Sequence, residues 1–202
     1  MPERKRRPPI VGRFTEHELA LAGRNRGMPL EALRYDVTPA GLHYLLIHFD
    51  IPEGDAGAWR LEFEGLFARR VALDLAQLRR MPAKTVRVTL ECAGNGRGRM
   101  SPRYPSVPWL EEGVSTAEWT GAPLRALLEQ AGIEKSAREI VFYGTDRGID
   151  RGTEHPFARS LTIEESLRED VLVAYAMNGE ALQPQHGAPL RLVVRAGTAW
   201  RA

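Results

Sequence analysis

Cys92 is the residue of this sequence best suited to chemistry, and it is the single cysteine of the 202-residue chain. It ends the alternating run "KTVRVTLEC" and is followed by "AGNGRGR", a segment of small residues, asparagine and arginine. A thiolate can act as a nucleophile or as a soft metal ligand. A buried thiol can equally be a small apolar core group. The pattern predicts a thiol at the end of a strand, and these three roles are its candidates.

The glycines after Cys92 suggest a phosphate-binding loop, because Gly94, Gly96 and Gly98 follow a predicted strand. A dinucleotide-binding fingerprint needs its third glycine one position later, a helix directly after it and an acidic residue about twenty residues further on. Here "RMSPRYPSVPW" follows, and its three prolines prevent a helix from starting. The segment therefore argues against a dinucleotide site.

The other roles of Cys92 make different demands on its surroundings. A nucleophilic thiol needs a histidine to activate it, and none lies near Cys92 in the sequence. A soft metal ligand would share the loop with backbone amides and arginines that hold an anionic cofactor. From position alone, the buried core cysteine is the simplest interpretation.

Composition excludes several kinds of site. One cysteine rules out an internal disulfide, a multi-cysteine metal centre and a CxxCH haem attachment, so no haem is expected in the chain. No stretch approaches the ~18 consecutive apolar residues of a membrane span. Apolar residues make up 43% and charged residues 27% of the chain, as in a soluble globular domain. Arginine accounts for 25 of the 28 basic residues, which indicates either anion binding or a GC-rich genome.

The N-terminal segment "MPERKRRPPIVGR" is basic and lacks an apolar region behind it. It is therefore not a complete secretory signal, and residues 1–13 are predicted to be a disordered, solvated tail. A solvated tail is favoured over a nucleic-acid-binding one, so no nucleic-acid partner is expected. The expected location is cytoplasmic, or periplasmic if the true N-terminus lies upstream.

Short helices and strands follow one another irregularly. Helices are predicted at "TEHELALAGR", with Thr15 and Glu18 as a capping box, at "DLAQLRRMP", at "PLRALLEQAG" and at "TIEESL". Strands are predicted at residues 41–52, "AWRLEFEGLF", "RRVAL", "KTVRVTLEC", "GVSTAEW", "REIVFYGTD", "VLVAYAM" and "PLRLVV". Hairpin turns are expected near Gly65 and at Asn178-Gly179. Strands outnumber helices without steady βαβ alternation, so the predicted class is α+β with mixed β-sheets and short helices.

Several segments together resemble one enzyme family. The segment "ECAGNGR" resembles the cysteine segment of the sulfite oxidase family of molybdopterin enzymes. Family-like segments continue in the family's order, with "HYLLIHFDIPE" upstream and "GVSTAEWTGAPLRALLEQAGI", "VFYGTD" and "VLVAYAMNGEALQPQHGAPLRLVV" downstream. The resemblance covers residues 35–195 and implies a sulfite-oxidase-type molybdopterin-binding fold.

The resemblance assigns roles to individual residues. Cys92 would be the molybdenum ligand and, with Arg97, would be catalytic. The cofactor, molybdenum with molybdopterin, would be bound by Cys92 and by further residues: His48, Asn95, Asp146, His186 and Arg191. Asn95 and Arg97 would also shape the cysteine loop. Arginine and histidine suit a phosphate, and an aspartate accepts hydrogen bonds from pterin N–H groups.

The implied activity is that of an oxidoreductase that transfers an oxygen atom, with sulfite or another small oxyanion as substrate. Two electrons would leave to a separate carrier, a cytochrome or a quinone-linked partner. The sulfite-oxidising members carry one arginine in the segment before the upstream histidine, where Leu46 and Ile47 precede His48, and a second after the loop asparagine, where this chain has Gly96. Their pocket tyrosine falls on Phe157. A less cationic pocket would favour an S-oxide or N-oxide reductase on the same scaffold. Four loop arginines are candidates to replace the missing charge: Arg99, Arg103, Arg147 and Arg151.

The C-terminal sequence "RLVVRAGTAWRA" also departs from the family. Family members continue with a lysine-containing strand over the pterin and often with an immunoglobulin-like dimerisation domain. The domain at residues 14–202 is thus expected to be incomplete at its C-terminus and to lack the dimerisation domain. A one-base deletion near the codon for Arg195 would explain this, since restoring one cytosine yields a family-like Val-Pro-Gly-Trp-Tyr continuation. The alternative is a protein that is not an enzyme, an inactive and cofactor-poor remnant of the family.

Overall fold

The computed structural model describes Glu18, residues 21–150 and residues 152–195, with Asp150 described in its backbone alone. The predicted tail, the cap Thr15, the candidate Arg151 and the segment from residue 196 lie outside the described residues. The described chain divides into two compact units. The first holds the described residues up to Leu46 together with Thr89–Thr116, and the second holds Ile47–Val88 and the described residues from Ala117 on. The boundaries predicted at residues 13 and 14 stay a prediction.

The first unit contains little regular structure before the cysteine loop. Two 3-10 helices span Leu30–Arg34 and Ala40–Leu42, and an antiparallel bridge joins Arg26 to Leu45. Thr38 fixes this segment, because its N–H donates to the Thr116 carbonyl at 2.8 Å and its hydroxyl accepts from the Thr116 N–H at 3.2 Å. The buried residues of the unit include Met28 and Trp109.

The strand predicted at residues 41–52 is wrong. A 3-10 helix occupies its start, the isolated bridge at Leu45 is its one ladder contact in the described chain, and residues 44–47 are all half-buried rather than alternately buried. The N–H of Tyr44 donates to the Ser115 hydroxyl at 3.0 Å instead of to a neighbouring strand. A side chain distant in sequence thus satisfies the backbone, which the local apolar pattern cannot indicate.

The second unit begins with a hairpin and a helix. Strands β1 (Leu61–Phe63) and β2 (Val71–Leu73) pair antiparallel, and Gly65 between them has φ 88°. Helix α1 (Leu75–Arg80) starts at Asp74, whose side chain forms a capping box with Gln77. Both elements are confirmed. They pack into a core with helix α2 (Leu124–Ala131), whose Leu127 and Leu128 are fully buried.

The largest sheet has five strands in the described chain: β3 (Lys84–Glu91), β4 (Val114–Pro123), β7 (Val171–Met177), β8 (Glu180–Ala181) and β9 (Arg191–Val194). Strand β7 is central, because it pairs with β4 on one side and with β8 and β9 on the other. Its residues Val171 to Ala174 are buried on both faces. Strand β4 extends beyond the predicted "GVSTAEW" and leads directly into α2 at Pro123.

A separate two-stranded sheet is formed by β5 (Glu139–Asp150) and β6 (Thr153–Thr162). Strand β5 is longer than predicted, and β6, which contains Phe157, is a strand that the sequence pattern did not predict. The short helix α3 (Ile163–Ser166) follows, with the predicted capping box between Thr162 and Glu165. Strands dominate and the described helices are short, so the predicted α+β class is confirmed.

Candidate functional site

Cys92 follows β3 and opens a tight loop in the first unit. Its Sγ accepts a hydrogen bond from the Gly94 N–H at 3.4 Å, and its own N–H donates to the Gly113 carbonyl at 2.8 Å. The side chain is half-buried. The thiol is therefore held by the loop backbone and remains partly accessible, as a reactive or metal-binding cysteine must be.

Asn95 fastens this loop to the residue that precedes β4. Its Oδ1 accepts from the Gly113 N–H at 3.0 Å, and its Nδ2 donates to Glu91 Oε1 at 3.0 Å. Gly113 is thus held twice: its carbonyl accepts a hydrogen bond from Cys92, and its N–H donates one to Asn95. This double attachment fixes where the thiol lies relative to the end of β3.

Arg97 lies against the same turn. A Cβ placed on Gly94 would come within 2.5 Å of three atoms of the Arg97 guanidinium. Nη1 of Arg97 also donates to the Val107 carbonyl at 3.3 Å. The cation therefore lies beside the peptide group whose N–H binds Cys92 Sγ, and a side chain at position 94 would displace it.

Trp109 is a candidate that the sequence analysis missed. Its side chain is 3% exposed, and its indole N–H has no hydrogen-bond partner among the described residues. The ring packs on Gly113, the Trp109 carbonyl accepts from the Gly98 N–H at 2.8 Å, and the side chain lines a cavity of about 340 Å³. A buried donor without a partner is costly, so this N–H is a candidate ligand contact near the cysteine loop. The sequence shows only a tryptophan after a proline-rich segment.

His48 and Asp146 come together in the second unit. Asp146 lies where the register of β5 and β6 shifts, between Tyr143 and Arg147, and its carboxylate lies against Gly144. Burial raises the pKa of Asp146 above its ordinary value, while a hydrogen bond from its own backbone and the positive charge of His48 oppose that rise. The pair combines an acceptor of raised proton affinity with an exposed imidazole.

An aromatic face on β6 supports His48. The rings of His48 and Phe157 are stacked with centroids 5.2 Å apart, and Phe49 contacts both Phe157 and His155 edge-on. The Phe49 ring lies directly on Gly148, where any side chain would displace it. The alternation of His155, Phe157 and Arg159 is the signal that the sequence analysis missed, because Pro156 interrupts the run.

His186 and Arg191 also come together. His186 ends a 3-10 helix, Pro184–His186, and is 3% exposed. Its carbonyl accepts from Arg191 Nη1 at 3.0 Å, and the Arg191 guanidinium lies 4.7 Å above the ring of buried Trp119. Gly187 makes the turn between them with φ 96°. A buried histidine and a stacked arginine are suited to an anionic group such as a phosphate.

Three of the arginines proposed as substitutes already carry carboxylate partners. Arg99 pairs with Glu111, and Arg147 pairs with Glu154 at 2.9 Å. Arg103 pairs with Glu18 in a buried contact, with the side chains 7% and 1% exposed. Their charges are therefore largely compensated within the protein.

A sequence model of the family "Oxidoreductase molybdopterin binding domain" matches residues 48–202, from His48 through the cysteine loop and β9. The chain belongs to this family. The chain is also similar to nitrate reductases and to a sulfite oxidase. An NADH nitrate reductase of Petunia hybrida is 35% identical over 180 residues, which are 84% of this chain and 20% of that protein. The sulfite oxidase of Gallus gallus is 38% identical over 167 residues, which are 78% of this chain and 36% of that protein.

A solved structure agrees with the fold of the molybdopterin-binding domain. The sulfane dehydrogenase SoxCD of Paracoccus pantotrophus superposes with a TM-score of 0.68 at 25% identity, over 96% of this chain and 51% of that one. The chain spans about a fifth of the nitrate reductase and about a third of the sulfite oxidase. The sulfite oxidase family and the sulfite-oxidase-type fold predicted from the sequence are thereby confirmed.

The donor set of this molybdopterin-binding domain fits its cofactor. No three His, Cys, Asp or Glu side chains come together as a metal site in the part of the chain that the structure describes. A bare metal ion therefore has no cage there, whereas a metal that arrives within an organic cofactor needs few protein ligands. The thiol of Cys92, with the Gly94 N–H beside it, fits that requirement. Within the described ranges, no helix has the length and hydropathy of a membrane span.

Proposed function

We propose that this domain is a molybdenum-cofactor-dependent oxidoreductase that catalyses oxygen-atom transfer of the sulfite oxidase type, with Cys92 as the protein ligand of the metal. The observation that carries the proposal is the half-buried Cys92 thiol, held at the end of β3 by the Gly94 N–H. The family match supports the cofactor. When bound, the cofactor supplies a metal that can exchange two electrons and an oxygen atom with a substrate.

The remaining site residues would bind and orient the organic part of the cofactor. Asp146 accepts hydrogen bonds from N–H groups, and its partial burial strengthens such bonds. His48 adds a donor next to it, fixed by stacking on Phe157. His186 and Arg191 supply the donors suited to a phosphate. Each pair is held by its own neighbours, which reduces the reorganisation that binding would require.

The cysteine loop would also provide the donors for the substrate. Arg97 places a guanidinium in the loop that carries the thiol. The Trp109 N–H, buried and without a partner in the described chain, offers a second donor in the same unit. Asn95 acts on the site by fixing Cys92 through Gly113. We assign Arg97 to the catalytic group and Asn95 to the positioning of the loop.

An S-oxide or N-oxide reductase is the second candidate. Leu46, Ile47 and Gly96 carry no charge, and Arg99, Arg103 and Arg147 are paired with carboxylates. A site with few uncompensated cations binds a neutral oxide more readily than a dianion. For oxidation and for reduction of the substrate alike, we propose that electrons pass to or from a separate carrier, a cytochrome or a quinone-linked protein. We also propose that the protein works in the cytoplasm.

The test combines metal analysis with one substitution. Purified protein should contain about one molybdenum per chain and release a fluorescent pterin after oxidation. Cys92→Ser should keep the pterin and lose at least about 100-fold in activity with a redox dye, because a hydroxyl is a poor soft-metal ligand. Met100→Leu is the matched control, since it removes the sulfur of an exposed side chain from the same segment.

Sulfite and a neutral sulfoxide should be compared as substrates of the wild-type protein. Faster turnover of the sulfoxide with a reduced dye supports the second candidate over the first. Full activity of Cys92→Ser contradicts the metal-ligand assignment. Folded wild-type protein without molybdenum or pterin favours the inactive remnant.

A further inference from the structure

Arg159 and His48 both contact the ring of Phe157 on the β5–β6 sheet. Its guanidinium carbon lies 4.4 Å from the centre of the Phe157 ring, and the same ring stacks with His48 at a centroid distance of 5.2 Å. Phe49 contacts Phe157 edge-on at 6.4 Å. The ring that supports the His48 imidazole therefore also fixes the guanidinium.

The charge of Arg159 is not compensated by a carboxylate among the described residues, unlike that of Arg147 on the same sheet. Arg159 is half-buried, and its hydrogen bond runs from Nη1 to the neighbouring Ala158 carbonyl at 2.7 Å. Arg147 pairs with Glu154 at 2.9 Å. A guanidinium has five N–H donors, so most of the donors of Arg159 are available to a ligand.

The contact with Phe157 also restricts the motion of Arg159. Residues 155, 157 and 159 share one face of β6 because side chains alternate along a strand, and the cation–π contact holds the guanidinium carbon over the ring of Phe157. A planar guanidinium that is already restrained loses little entropy when it binds a planar or tetrahedral anion. Such a group is suited to bidentate recognition of an oxyanion.

We propose that Arg159 is a specificity-determining residue that binds an oxyanion beside the His48–Asp146 pair. This inference rests on the proposed function in one respect, which is that His48 and Asp146 hold the cofactor. The oxyanion has two sources of the same chemistry, a small anionic substrate or the phosphate of the cofactor.

Sulfate binding to the purified holoprotein tests this assignment directly, because sulfate is an unreactive oxyanion. Calorimetric titration should show that Arg159→Gln weakens sulfate binding about 10-fold to 100-fold, the loss expected for charge-assisted hydrogen bonds. Arg147→Gln is the matched control and should bind sulfate as the wild type does. Arg159→Lys should recover part of the affinity, since it restores the charge without the fork.

Two further measurements distinguish the sources of the oxyanion. A raised KM for sulfite in Arg159→Gln, with kcat for a neutral sulfoxide and pterin content unchanged, assigns the anion to the substrate. A fall in pterin content assigns it to the phosphate of the cofactor, and the loss of sulfate binding then appears only in protein freed of the cofactor.

Unchanged sulfate affinity and pterin content in Arg159→Gln overturn the inference. Wild-type protein that binds sulfate through Arg159 but holds no molybdenum contradicts the proposed function and leaves the anion site standing. Thermal melting of Arg159→Gln and Arg159→Lys checks that both variants fold. If Arg159→Gln fails to fold, the sulfate affinity of Arg159→Lys tests the inference instead.

Discussion

Replacing Asn95 with alanine removes two hydrogen bonds that fix the cysteine loop. One is the bond from the N–H of buried Gly113 to Asn95 Oδ1 at 3.0 Å, and the other is the exposed bond from Asn95 Nδ2 to Glu91 at 3.0 Å. The Gly113 carbonyl keeps its bond from the Cys92 N–H. The N–H side of Gly113 is then left without a partner where water has limited access.

The two bonds differ in their contributions to stability. Leaving the Gly113 N–H unsatisfied should cost about 1–3 kcal/mol of unfolding free energy. The exposed bond to Glu91 should add less than about 1 kcal/mol. A domain of this size loses about 2–4 °C of Tm per kcal/mol, so Asn95→Ala should melt roughly 2–16 °C below the wild type.

Thermal melting of three variants separates the two bonds. Glu91→Ala removes only the exposed bond and should lower Tm by no more than about 3 °C. Asn95→Asp keeps an acceptor for the Gly113 N–H but sets a second carboxylate beside Glu91, so part of its deficit should disappear at high salt, which screens the repulsion. Equal losses of Tm in Asn95→Ala and Glu91→Ala would refute the reasoning, because the Gly113 bond would then contribute nothing. Molybdenum content should fall in Asn95→Ala and stay unchanged in Glu91→Ala.

Three further substitutions test other parts of the structure. Because the folded-state pKa of Asp146 is raised, its carboxyl favours folding below the ordinary aspartate pKa and loses that contribution as the pH rises through the raised value. In urea unfolding of cofactor-free protein, Asp146→Asn should therefore gain stability over the wild type as the pH increases, and a constant difference contradicts this. Arg103→Leu leaves the Glu18 carboxylate buried without its cation and should cost about 3–5 kcal/mol in chemical denaturation; a loss below about 1 kcal/mol would show that the pair is solvated. Gly121→Ala places a Cβ against the Val173 carbonyl at the bulge of β4 and should cost about 1–3 kcal/mol by the same assay, whereas Gly23→Ala, at an open position, serves as its control.

Local chemistry made part of the fold predictable from the sequence. The turn near Gly65, the Asn178-Gly179 hairpin and the capping box at Thr162 each depend on residues only a few positions apart. Asn178 and Gly179 have φ 54° and 83°, as the predicted hairpin turn requires. Where the interacting groups were close in sequence, the pattern and the structure agree.

The wrong or missing predictions concern segments whose interaction partners are not evident from the local sequence. Residues 41–52 are apolar but not a strand, because Ser115, distant in sequence, binds the N–H of Tyr44. Strand β6 was overlooked because Pro156 and Gly152 break the alternation that its pairing with β5 imposes. Neither partner can be read from the local composition.

The candidate site shows the same limit. Residue type and resemblance singled out Cys92, but its setting depends on Gly113, which lies beyond the proline-rich segment. Trp109 gave no sequence signal, because its unpartnered N–H is a property of burial. Likewise, the sequence does not show that Arg147 has a carboxylate neighbour, whereas Arg159 lies over an aromatic ring. Composition records only that arginines are many.

The central place of β7 in the five-stranded sheet has a consequence for how the chain folds. The hairpins β1–β2 and β5–β6 join neighbouring segments and can form within about 1–10 μs. Strand β7 must instead find β4, with Trp119 opposite Met177 and Pro123 opposite Leu172, and the loop between them has to close first. Pairings so distant in sequence slow folding. During synthesis the apolar strand β4 therefore emerges from the ribosome well before its partner, and the nascent chain exposes an unpaired strand edge until β7 has been made.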